Sequence, residues 1–98
     1  MFTKLASAEN LVTNHIKNYL KSLGKNRCWL IKHHASMFTA VGIPDIIGCI
    51  DGKFFAIEVK AERGITSEAQ KIQIELIKDA GGIAFVAKSV DEVKQQIY

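Results

Sequence analysis

The chain has 98 residues, which suits one domain and is too short for two. Hydrophobic residues make up 48% and charged residues 23%, a balance that excludes a disordered chain. Thirteen Lys and Arg against ten Asp and Glu give a net charge of +3, compatible with a phosphate-bearing partner but not diagnostic of one. The two cysteines, Cys28 and Cys49, form no C-x-x-C pair and lie in apolar runs. They are expected to be reduced core residues of a cytoplasmic protein. The opening MFTKLASAEN lacks the basic and apolar regions of a signal peptide. No apolar run approaches the ~18 residues a membrane helix needs, so no membrane partner is expected.

Residues 8–23 are predicted to form the first helix, with Ser7 as its cap. Val12, Ile16, Tyr19, Leu20 and Leu23 fall on one apolar stripe, and Gly24 stops the helix. Cys28 to His34 is predicted to be a strand, followed by a loop over 35–42 that holds Met37 and Phe38. Pro44 biases Ile43 towards extended backbone. Ile46–Ile50 and Lys53–Lys60 are two further strands, joined by the two-residue link Asp51-Gly52, a strong hairpin signal. Residues 61–66 form a loop. Ser67 to Ala80 is the second helix, ended by Gly81-Gly82. Ile83–Ala87 is a short strand, and Ser89 caps a last helix, Val90–Ile97. The order α-β-β-β-α-β-α indicates a single α/β domain over 1–98, with a mixed central sheet flanked by helices.

The hairpin brings charges together. In a two-residue hairpin the positions of facing residues add to a constant, so pairing of Ile50 with Lys53 sets Asp45 opposite Glu58. Their Cβ atoms would lie ~4.5–5.5 Å apart, a repulsive arrangement for like charges. Glu58 and Lys60 are two apart and share a face. Either the hairpin end emerges into solvent and these are ordinary surface charges, or a cation offsets the repulsion. Oxygen ligands suit Mg²⁺ or Mn²⁺ better than zinc. Adjacent histidines on a strand point to opposite faces, so His33 and His34 form no zinc site with the cysteines.

These residues resemble a known pattern. Pro44-Asp45 followed by Glu58-Val59-Lys60 is similar to the PD-(D/E)xK nuclease motif. The wider set of Gly42 to Asp45, Ile57 to Lys60, Ser67 to Gln70 and Gly81-Gly82 resembles the VRR-Nuc (virus-type replication-repair nuclease) family, over nearly the whole chain. The resemblance implies a stand-alone nuclease domain with the PD-(D/E)xK, restriction-endonuclease-like core, of the kind typical of phages and bacteria. It implies a metal-dependent DNA endonuclease. Asp45 and Glu58 would hold Mg²⁺ or Mn²⁺, with the Val59 carbonyl as a further ligand, and Lys60 would position and activate the attacking water. It also places an acid early in the first helix, and Glu9 matches. From the residues alone, Glu9 reads rather as an acid serving the dipole of the first helical turn, and the resemblance reverses that reading.

Gln70 has two readings. Ser67-Glu68-Ala69-Gln70 is a capping box, in which the glutamine bonds back to the cap. The resemblance instead puts this glutamine at the active site, and Gln73, mid-stripe on the same helix, is a rival. Lys32, His34, Arg63 and Lys71 are candidate phosphate contacts, or simply a solvated basic surface. So small a nuclease has little surface for reading bases, which favours structure-selective cutting, with a four-way junction as one candidate substrate. Small family members resemble archaeal junction resolvases in this respect, and a homodimer is expected. The alternative is a non-catalytic nucleic-acid-binding domain on the same fold. A restriction-type enzyme would need an added recognition element, which is not visible in the sequence.

Overall fold

The computed structural model describes residues 4–34 and 40–97. Its elements run α1 (Lys4–Ser22), β1 (Cys28–Lys32), β2 (Ile46–Ile50), β3 (Lys53–Val59), α2 (Glu68–Asp79), β4 (Ile83–Ala87) and α3 (Val90–Gln96). The order is the one expected. Met37 and Phe38 lie outside the described residues.

Several boundaries differ from expectation, most by a single residue. The first helix starts at Lys4, so Ser7 lies inside it and is not its cap. Lys4, Leu5 and Ala6 are good helix formers, and nothing among them breaks the helix. Glu9 therefore sits beyond the first turn, which contains no acid. Strand β1 ends at Lys32 rather than His34, although the His33 N–H still bonds to the Asp45 carbonyl at 2.6 Å. Strand β3 ends at Val59 rather than Lys60, its last parallel pairing, Val59↔Ala87, closed by the Lys60 N–H bonding to the Ala87 carbonyl at 3.0 Å.

The hairpin forms as its sequence predicts. Asp51 (φ 49°) and Gly52 (φ 82°) both have positive φ, as a tight primed turn requires. Pairing runs from Ile50↔Lys53 to Ile46↔Ile57. Helix α2 ends in a Schellman motif: Gly81 (φ 96°) donates to Lys78 at 3.0 Å and Gly82 to Ile77 at 2.9 Å.

The sheet has the order β1-β2-β3-β4. The first two pairings are antiparallel, and β3–β4 is parallel. Helix α2 is the crossover that the parallel pair needs. One face of the sheet carries Leu30, Ile46, Ile50, Phe55, Ile57, Val59, Phe85 and Ala87. These pack with Ile16 and Leu20 of α1 and Val93 of α3 into the main core. The other face carries Ile47, Ala56, Ala84 and Val86, which pack against Ile74 and Ile77 of α2.

Strand register resolves that second face into three rows. Trp29, Cys49 and Phe54 form one row. Ile31, Ile47, Ala56 and Ala84 form the next. The third row is His33, Asp45, Glu58 and Val86, with the first pair held by the His33–Asp45 backbone bond. Two apolar rows thus give way to a polar one at the end of the sheet where β3 runs into the Lys60 loop.

Candidate active site

The site is built from the last polar row and the start of α2. Glu58 is only 2% exposed. Its Oε2 accepts a hydrogen bond from Gln70 Nε2 at 2.8 Å and lies 3.4 Å from Lys60 Nζ. Its Oε1 is buried and has no partner among the described residues. The Asp45 carboxylate accepts the Val59 N–H at 2.9 Å, so the peptide that links Glu58 to Val59 is pinned to Asp45.

Burial first, and then the Asp45 charge, raise the Glu58 pKa from the ordinary 4.5 to about 7. Lys60 opposes both but does not win. A proton on Glu58 therefore stabilises the metal-free chain near neutrality. A divalent cation offers the same relief with twice the charge. The orphaned Oε1 and the neighbouring carboxylate make an all-oxygen donor set that fits Mg²⁺ or Mn²⁺.

Gln70 fills both expected roles at once. Its Oε1 accepts the Ser67 N–H at 2.8 Å, completing the capping box with Ser67 Oγ. Its Nε2 is thereby turned to Glu58. The cap thus fixes the rotamer that holds the carboxylate. Gln73, the rival, is half-buried and makes no such contact with Glu58.

Two glycines shape the surroundings. Gly42 has φ +86°, and a Cβ there would run into the Ala69 carbonyl and come within 2.8 Å of the Gln70 nitrogen. The loop before Asp45 can therefore lie directly on the first turn of α2. A Cβ on Gly64 would meet Lys60 Cβ at 3.1 Å and Cδ at 3.2 Å. The 61–66 loop thus packs along the Lys60 stem and leaves that side chain only 12% exposed. Lys88 Nζ ties this loop to the end of β4 through the Glu62 carbonyl at 2.8 Å.

The other expected residues are less tightly gathered. Glu9 is half-buried on α1, and its carbonyl accepts the Thr13 hydroxyl at 2.8 Å. Among the described residues, no three His, Cys, Asp or Glu side chains group closely enough to hold one ion. Glu9 is thus not brought into one cluster with Asp45 and Glu58. Arg63 is exposed in the loop behind Lys60. Lys71 is exposed on α2 and pairs with Glu68 at 3.3 Å. Lys32 pairs with Ile46 and so belongs to the sheet face opposite the carboxylates. His34 is exposed just beyond it.

The residue that sequence reasoning missed is His33. It continues the alternation of Trp29 and Ile31, and the register sets it beside Asp45. Its Nε2 is buried with no partner among the described residues. Alternation along β1 groups it with those apolar residues. Nothing in the long β1–β2 connection fixes the register that puts it next to Asp45.

The raised Glu58 pKa has a consequence for stability. The folded chain keeps this proton to higher pH than the unfolded chain does. The stabilisation is fully present below pH ~4.5 and is lost as pH rises through about 7. Metal-free protein should therefore lose up to about 3 kcal/mol of unfolding free energy between pH 5 and pH 8. Glu58→Gln, which cannot ionise, should flatten that slope in denaturant titrations. An equally steep fall in the variant would mean another group is responsible.

Comparison with known proteins bears on the family and the fold. Residues 7–91 match the family model described as the VRR-NUC domain. A solved structure described as a VRR_NUC domain protein is similar at 26% identity and TM-score 0.71, covering 91% of this chain and 87% of its own. A second, described as a VRR_NUC domain, shares the fold at 24% identity and TM-score 0.73, covering 92% and 94%. Among curated proteins none matches.

Proposed function

Since the chain belongs to the VRR-NUC domain family, with its nuclease-type fold, we propose that it is a metal-dependent DNA endonuclease, hydrolysing phosphodiester bonds and selective for DNA structure rather than base sequence. The observation that carries this reading is Glu58. It is a buried carboxylate with one oxygen unpaired, set across the sheet from a second acid. A domain that only binds nucleic acid gains nothing from two acids turned towards phosphate.

Asp45 and Glu58 would hold Mg²⁺ or Mn²⁺, with the Val59 carbonyl as a further ligand; Glu9, which does not group with them, is left out of the donor set. When bound, the cation lowers the pKa of a water and polarises the scissile phosphate. The remaining work falls to the chain itself. Lys60, kept over Glu58 by the Gly64 contact, orients the attacking water and stabilises negative charge growing on the phosphate. Gln70 holds the Glu58 carboxylate in place. Arg63 and Lys71, exposed on the loop and helix that flank the site, take phosphates of the same strand. His34, exposed just beyond β1, is a further phosphate contact, whereas Lys32 lies on the opposite sheet face and is not.

Cleavage assays on four-way junction, flap, duplex and single-stranded DNA, with Mg²⁺, Mn²⁺ or EDTA, test this reading. Wild type should cut only with metal and best on the branched substrates. Lys60→Ala should lose at least ~100-fold in rate while still binding DNA. Metal-independent junction binding without cutting would instead favour a binding domain.

A second copy of the chain is the proposed protein partner. Helix α2 covers the β3–β4 half of its sheet face and leaves Trp29 (62% exposed), Phe54 (47%), Ile31 and Cys49 open. Ile72 and Leu76 of α2 are also exposed. Among the described residues, the rows of this open half-face carry no charged side chain, and an apolar patch can meet its own copy across a two-fold axis. A single aromatic there brings ~150–250 Å² to an interface. Two copies so joined would present a pair of sites, which suits a four-way junction. Analytical ultracentrifugation should show a dimer that Trp29→Arg with Ile31→Arg converts to monomer. A monomeric wild type at micromolar concentration would rule this interface out.

A further inference from the structure

We infer that His33 is a positioning residue of the metal site, hydrogen-bonding through Nε2 to a water held between Asp45 and Glu58. This rests on the metal-dependent reading above and adds to it a residue that the nuclease motif does not contain.

Three observations lead there. The first is placement. His33 is bonded through its backbone to Asp45 and stands next to it in the row that ends at Glu58 and Val86. The second is an unmet need. A buried ring nitrogen without a partner forfeits its bond to water and gains none in return, and His33 Nε2 is such an atom among the described residues. The only other buried side-chain polar atom left without a partner among the described residues is Glu58 Oε1, in the same row. Two orphaned polar atoms in one row mark a place where something is bound, since buried polar groups are otherwise paired.

The third observation narrows what that is. Imidazole is a good ligand for transition metals, so His33 could be thought to complete the donor set directly. However, no three acids, histidines or cysteines among the described residues converge closely enough to hold one ion. The role left is contact through a water. An internal water needs two to four polar partners, and His33 Nε2, the Asp45 carboxylate and Glu58 Oε1 supply three kinds of them. Residues that act on a metal in this indirect way typically change its affinity by about 10–100-fold when removed.

The test is long-range ¹H–¹⁵N NMR of the histidine rings in the full chain, which has three histidines, titrated with Mg²⁺. His15→Gln and His34→Gln assign the signals. Mg²⁺ should shift the His33 Nε2 resonance in a saturable way and leave His15 unmoved, and Asp45→Asn should abolish the effect. By calorimetry, His33→Ala should bind Mg²⁺ about tenfold more weakly. His33→Gln, which keeps a hydrogen-bonding group, should recover most of that loss. If Mg²⁺ binds but His33 does not shift, and His33→Ala binds it as wild type does, the inference fails and the metal site stands. If Mg²⁺ does not bind at all, both fail. The wild-type NMR readout decides the matter even if His33→Ala does not fold.

Discussion

Two carboxylates placed across a sheet from each other repel, and Glu58 meets that repulsion in a nearly water-free position beside Asp45. Much of the structure near this pair serves to keep the two acids there. The Val59 N–H holds Asp45. Gln70 and Lys60 hold one oxygen of Glu58 and leave the other unpaired. A protein selected for stability alone would have no reason to bury an acid whose pKa is pushed to about 7. A proton releases the tension and a cation would do the same, which would link the folding of this chain to the proposed chemistry.

The fold supplies the geometry by simple means. The tight Asp51-Gly52 turn fixes β2 against β3. The parallel β4 then demands a crossover, and its helix starts where Ser67 caps it. The capping glutamine is long enough to serve the helix with one end and Glu58 with the other. A device that starts a helix thereby becomes a support for the site. Gly42 lets the Asp45 loop rest on that same helical turn, where any side chain would force them apart.

Much of this was legible in the residues. The Asp-Gly link alone set the register that brings Asp45 opposite Glu58, because a two-residue turn leaves no freedom in the pairing. The alternation that buries Ile57 and Val59 put Glu58 and Lys60 together. The element order followed from periodicity and from glycine stops. The start of α1 was misplaced, since Ser7 has the chemistry of a cap but lies among good helix formers. His33 was passed over for a deeper reason. Its neighbour Asp45 is reached only through a register set by tertiary packing, across a connection too long to constrain it. Gln70 was treated as a choice between cap and site, when its two ends allow both. The open apolar half-face was also hidden. Trp29, Ile31 and Phe54 look like core residues until it is known that α2 covers only half of its face.

The most direct test of the account is calorimetric titration of the chain with Mg²⁺ at pH 7, in two buffers of different ionisation enthalpy. If a proton on Glu58 relieves its repulsion with Asp45 and a cation replaces that proton, binding should release a fraction of a proton per ion. That release should vanish at pH 9 and in Glu58→Gln. Mg²⁺ binding without proton release at pH 7, or no binding with both acids intact, would contradict it.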